Sequence, residues 1–114
     1  MQCDNSIIVL ADCPVSKLED ILRELLTEHA DDTTEIIVVR ESKRGETEDL
    51  ITRLQSNMPE GKLRSTYVPD KPQYISYRDV SILLGVKAAH SDNLRILSPV
   101  NMDKRHNHIQ TKTY

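Results

Sequence analysis

Two short apolar runs, Ser6-Ile7-Ile8-Val9-Leu10 and Glu35-Ile36-Ile37-Val38-Val39, constrain what this chain can fold into more than any other feature. Neither run alternates with polar residues, so neither suits a strand with one face in water. Both suit strands buried on two faces, as in parallel sheets covered by helices. The second run breaks into a charged turn over residues 40–46 and then opens a helix. In an open α/β sheet, nucleotide-type ligands sit in the crevice beyond the carboxyl ends of the strands. The mixed charges of the turn mark a place for a site and leave its chemistry open.

Amphipathic segments separate the runs. Ser16-Lys17-Leu18-Glu19 reads as a capping box, in which hydroxyl and carboxylate satisfy the free amides of a helix start. Leu18, Ile21, Leu22, Leu25 and Leu26 then recur at helical spacing, and polar residues 29–34 end the helix. Thr47 is expected to cap a second helix, with Glu48 and Asp49 against its positive end. Leu50, Ile51, Leu54 and Met58 give that helix its apolar side, and Pro59 and Gly61 stop it. Residues 63–68 read as a weaker third strand, and residues 68–74, with two prolines, as an extended connection. A third helix starts at Ser76, with Val80, Leu83, Leu84 and Ala88 as its expected buried side. Asn93-Leu94-Arg95-Ile96-Leu97 is a fourth strand, cut off by Ser98-Pro99.

The pattern predicts an α/β fold: a parallel sheet of about four strands, order 3-2-1-4, flanked by helices. The first three strands step one way and the fourth returns beside the first. That reversal brings the loops near Asp12, Glu41 and Asn101 to one edge of the sheet, where a ligand crevice is expected. The domain is taken to span residues 1–103, with a polar tail over 104–114 that is loosely ordered unless something holds it.

At 114 residues the chain has room for a single core, and without Phe or Trp that core must be built from Ile, Leu and Val. A net charge of −3 lacks the cationic footprint of a nucleic-acid partner. No apolar run approaches the ~20 residues of a membrane helix, and no leader segment is read before the first strand. Cys3 and Cys13 fit no metal or redox spacing and read as free thiols, which makes the cytoplasm the expected compartment. Gly45 stands alone, so no phosphate-binding loop or dinucleotide fingerprint is present, and kinase, NTPase and dehydrogenase chemistries are disfavoured. His106-Asn107-His108 has no further ligand at a set spacing and reads as solvated tail.

Taken in order, these segments resemble the nucleotide-binding half of inverting family-2 glycosyltransferases, the GT-A architecture. The carriers are Ser6-Ile7-Ile8-Val9-Leu10 with Leu18-Glu19-Asp20-Ile21-Leu22, and Glu35-Ile36-Ile37-Val38-Val39 with Glu46-Thr47-Glu48-Asp49-Leu50-Ile51. Ile75-Ser76-Tyr77-Arg78, Leu84-Gly85-Val86-Lys87-Ala88-Ala89 and Leu94-Arg95-Ile96-Leu97 complete the likeness, which covers residues 6–101. It implies transfer of a sugar from a nucleotide-diphosphate donor to a glycan or lipid acceptor, by direct displacement with a carboxylate base. The segment has no counterpart of the acceptor-binding half or of the base, so a part inactive alone is implied. In a longer parent the cytoplasmic face of a membrane is a further expected location.

The departures are specific. Where the family ends its second strand with two aspartates, this chain has Arg40 and Glu41. Where it places an Asp-x-Asp motif for Mg²⁺ or Mn²⁺, this chain has Pro99-Val100-Asn101, leaving Asn101 and Asp103 as the implied metal ligands. An Asn amide is a poor substitute for a carboxylate on a hard cation. The resemblance implies a nucleotide site at Asp12, Glu41 and Arg78, with Arg78 reaching the diphosphate. Each also has a plainer reading: Asp12 and Glu41 as turn acids, Arg78 as a helix-start charge paired to Asp79 or a neighbour. Tyr67, Tyr74 and Tyr77 offer either a stacking face or ordinary packing. Two other origins stay open: a non-catalytic GT-A-like domain that binds a nucleotide or a protein, and another parallel α/β module of flavodoxin-like or Rossmann-like topology, which a strand order other than 3-2-1-4 would favour. An incomplete sheet would expose strand edges, so self-association as a homodimer is expected.

Overall fold

The computed structural model of the chain describes residues 4–41, 45–68, 76–99 and 110–111. In chain order the elements are β1 (Asn5–Leu10), α1 (Val15–Glu28), β2 (Thr34–Arg40), α2 (Glu46–Gln55), β3 (Leu63–Tyr67), α3 (Tyr77–Ala88), β4 (Leu94–Leu97) and β5 (Gln110–Thr111). They form one sheet in the order β3-β2-β1-β4-β5. The first four strands are parallel, in register from Ile8 to Ile37 on one side and to Ile96 on the other. The expected 3-2-1-4 order is the order found.

The two apolar runs are buried throughout because both faces of the sheet are covered. Ile7, Val9, Ile36 and Val38 pack under the stripes of α1 and α2. Ile8, Leu10 and Val39 point the other way, into a second cluster with Val80, Ile82, Leu84 and Val86 of α3. Right-handed crossovers explain the division: a step from β1 to β2 to β3 puts helices on one face, and the return to β4 puts the next helix on the other. The whole predicted stripe of α1 is buried, as are Leu50, Ile51 and Leu54 of α2. Each such side chain is worth about 1.5–3 kcal/mol of transfer free energy.

Four local expectations are corrected. Helix α1 starts at Val15 with Pro14 as its N-cap and no side-chain cap, so Ser16 lies inside the first turn and closes no capping box. Proline fixes φ and suits this entry, which advances the start by two residues. Helix α2 likewise starts at Glu46, with Gly45 and not Thr47 at its N-cap. Gly45 has φ +138°, a conformation that a side chain would strain. The expected buried side of α3 is corrected at one member: Leu83 is half exposed, whereas Val80 and Leu84 pack on the second cluster and Ser81 and Gly85 also face the sheet. Ser76 does cap α3, accepting from the Asp79 amide at 3.1 Å. Finally, β5 was not foreseen; residues 110–111 of the polar tail pair antiparallel with β4 and cover that edge, leaving β3 as the outer strand on the other side.

Candidate functional site

The strand order reverses between β1 and β4, and the carboxyl ends of β1, β2 and β4 open onto one edge. The Ala11 amide bonds to the Val39 carbonyl at 3.0 Å and the Asp12 amide to the Leu10 carbonyl at 2.9 Å, which turns the chain sharply after β1. Two cavities lie here, of about 400 Å³ and about 110 Å³, and both are lined by Ala11, Asp12 and Glu41. Arg78, in the first turn of α3, lines the smaller one. The three nucleotide-site residues read from the sequence thus come from three separate elements and meet at one crevice.

A serine that sequence reasoning missed links two of them. Ser98 Oγ donates to Asp12 Oδ2 at 2.9 Å and accepts from Arg78 Nη1 at 3.0 Å. Pro99 has no amide to extend the strand, so the chain leaves the sheet at Ser98 and its hydroxyl stays at the edge. The Ser98-Pro99 break was visible in the sequence only as a strand end.

The larger cavity runs between the starts of α1 and α2. Asp12, Glu41, Glu46 and Glu48 line it against Arg40. These carboxylates are acceptors for hydroxyl or amino groups; the cationic corner is at Arg78 in the smaller cavity. Arg40 is 8% exposed, lies 3.7 Å from Glu48 Oε2 and sits over the Tyr67 ring, 5.6 Å from its centroid. Its charge is engaged with α2 and β3, so the aspartate that the resemblance would want at position 40 is replaced by a packing element. Tyr67 therefore stacks on a guanidinium. Tyr74 and the side chain of Tyr77 lie outside the described residues, as do Cys3 and His106-Asn107-His108.

Asn101 and Asp103 also lie outside the described residues. Among the described residues no group of three His, Cys, Asp or Glu side chains is placed to hold a metal ion. Position 99, where the resemblance wants a carboxylate, is a buried proline. The described donor set does not fit Mg²⁺ or Mn²⁺. Cys13 lines the larger cavity, but burial, reinforced by Asp12, pushes its thiol up, so it is not an activated nucleophile.

The opposite, amino end of the sheet holds the most perturbed groups. Glu35 is fully buried and accepts from Ser6 Oγ, the His90 amide and Arg64 Nη2, each at 2.6 Å. Burial by itself pushes this carboxyl up; the three hydrogen bonds and the Arg64 charge outweigh it and hold the group below its ordinary value. Lys62, 3% exposed, donates to the carbonyls of His29 and Asp32. Asp32 in turn is held well below the usual carboxylate range: burial pushes it up, and His29, 2.8 Å away, together with the Thr34 amide more than reverses that push. These bonds join β1, β2, β3 and the α1–β2 and α3–β4 connections. They fasten the scaffold at the end away from the crevice.

Fold and edge together define a Rossmann-like α/β domain with a crevice at its topological switch point. No protein-family model matches the chain, and no curated protein matches it. No helix of the described residues is long and apolar enough to cross a membrane.

Proposed function

We propose that this chain is a glycosyltransferase-like nucleotide-binding domain that takes a nucleoside diphosphate, as part of a nucleotide-sugar donor, in the carboxyl-edge crevice. The observation that carries this reading is the convergence of Asp12, Glu41 and Arg78 on one crevice at the strand-order reversal. The guanidinium of Arg78 offers a planar fork to a diphosphate. Glu41 accepts from a base N–H or a ribose hydroxyl, and the acids of the larger cavity accept from sugar hydroxyls. The parent reaction, transfer to a glycan or lipid acceptor, needs an acceptor site and a base from outside these residues.

Titration calorimetry with UDP, GDP and their sugar conjugates, with and without Mn²⁺, tests this. The expected result is binding that Mn²⁺ leaves unchanged. Failure of every one of these ligands to bind would overturn the reading. A strict requirement for Mn²⁺ would return the metal role to Asn101 and Asp103.

A second reading, a GT-A-like domain that binds without catalysis, is favoured by one observation: buried Pro99 stands where a metal-binding carboxylate is wanted. It shares the nucleotide site and differs in predicting no sugar transfer even when an acceptor site and a base are supplied from outside these residues. Self-association is proposed through β3, the outer strand opposite β5. Sedimentation at rising concentration should show a dimer, and a single monomeric species throughout would remove this proposal.

A further inference from the structure

We infer that Ser98 is a positioning residue, whose hydroxyl sets Arg78 so that its guanidinium meets the diphosphate. This rests on the nucleotide-binding reading above and adds a residue that the resemblance does not supply. Ser98 is 7% exposed, whereas Asp12 and Arg78 are exposed. Among the described residues Ser98 is the one hydrogen-bonding partner of Arg78. A free arginine on a helix start samples many rotamers, and ordering such a side chain costs conformational entropy on binding. The bond from Nη1 to Ser98 meets that cost before the ligand arrives, and leaves the other guanidinium donors available.

Direction matters in this relay. The Ser98 proton goes to Asp12 Oδ2, which leaves the oxygen lone pairs for Arg78. Asp12 thereby fixes the hydroxyl in its accepting orientation, and the turn after β1 fixes Asp12. Three chain segments that are remote in sequence, with Ser98 separated from Asp12 by 86 positions and from Arg78 by 20, hold one cation in one place. The relay joins the carboxyl ends of β1 and β4 to the first turn of α3, the elements that border the switch point.

The test uses whichever of UDP and GDP binds the wild-type chain, with its parent nucleoside as control. Ser98→Ala should weaken diphosphate binding about tenfold, the loss of one hydrogen bond to a charged group. It should leave nucleoside binding unchanged, and Ser98→Thr should restore the diphosphate affinity. In an Arg78→Ala background the same Ser98→Ala change should cost nothing further, because the serine acts only through the arginine. Equal losses for nucleoside and diphosphate, or additive losses with Arg78→Ala, would overturn the inference while leaving the site intact. Absence of wild-type binding would overturn the site, and the positioning role with it.

Discussion

Replacing Glu35 by alanine is expected to destabilise the fold by about 2–4 kcal/mol, because it removes hydrogen bonds to a charged acceptor worth about 1.5–3 kcal/mol each and solvent makes good only part of the loss. The carboxylate has no contact with water and holds three donors from three separate segments: Ser6 in β1, Arg64 in β3 and the His90 amide. Alanine removes every acceptor at once. The Ser6 hydroxyl loses its partner in a dry place, whereas the His90 amide and Arg64, both nearer the surface, turn toward solvent. Glutamine keeps the shape and one acceptor, so Glu35→Gln should cost less than Glu35→Ala. Urea unfolding at neutral pH orders the three proteins. A Glu35→Ala midpoint equal to wild type would show that the network contributes nothing.

The same carboxyl predicts how stability follows pH. Its folded value is lower than its ordinary 4.5, so the unfolded state binds the proton more readily. The stabilisation is therefore complete above that unfolded value and drains away as pH falls through the folded one. Asp32 pulls in the same sense, with its exposed side chain screened by water. Wild type should lose stability steeply below about pH 4.5, and Glu35→Gln should show a flatter slope over that range. Parallel slopes would assign the acid sensitivity to other groups.

What the sequence made legible follows from how local each signal is. The continuous runs at Ile7–Leu10 and Ile36–Val39 have one physical explanation, burial on two faces, and from there topology follows by the handedness of crossovers. The α1 stripe is strictly periodic and its buried face was fully readable. Helix α3 was not, because Val80-Ser81-Ile82-Leu83-Leu84-Gly85-Val86 is apolar nearly all round and periodicity cannot choose a face. Packing chose instead, and it set the smallest residues, Ser81 and Gly85, against the sheet. Strand β5 is held by backbone pairing, which needs no apolar residue and leaves no trace in composition. Asp12 and Glu41 could be named because they follow strand ends beside the reversal, and Arg78 because the resemblance implies it at the start of the third helix. Ser98 and Glu35 act through partners 20 to 86 and 29 to 55 positions away, and such pairings have no local signature.

Enlarging Gly85 should both loosen the fold and disturb the crevice. A Cβ at this position would fall well inside contact distance of Ile8 Cγ2 and 3.2 Å from Val39 Cγ2. Both are β-branched side chains rooted on the two central strands, with little freedom to move aside. Alanine gains about 1 kcal/mol of helix propensity over glycine, but overpacking a filled core costs about 1–3 kcal/mol, so Gly85→Ala should be net destabilising by about 1 kcal/mol. Gly85→Val adds two methyl groups and a stiff rotamer at the same place, and α3 can accept them only by lifting off the sheet. That movement would carry Arg78, two turns toward the helix start, away from Ser98. Gly85→Val should therefore lose several kcal/mol of stability and bind a nucleoside diphosphate more weakly, whereas Leu83→Ala on the exposed side of the same helix should do neither. Thermal unfolding read beside titration calorimetry separates the effects. Tolerance of valine at position 85 would mean that α3 is not seated on Ile8 and Val39.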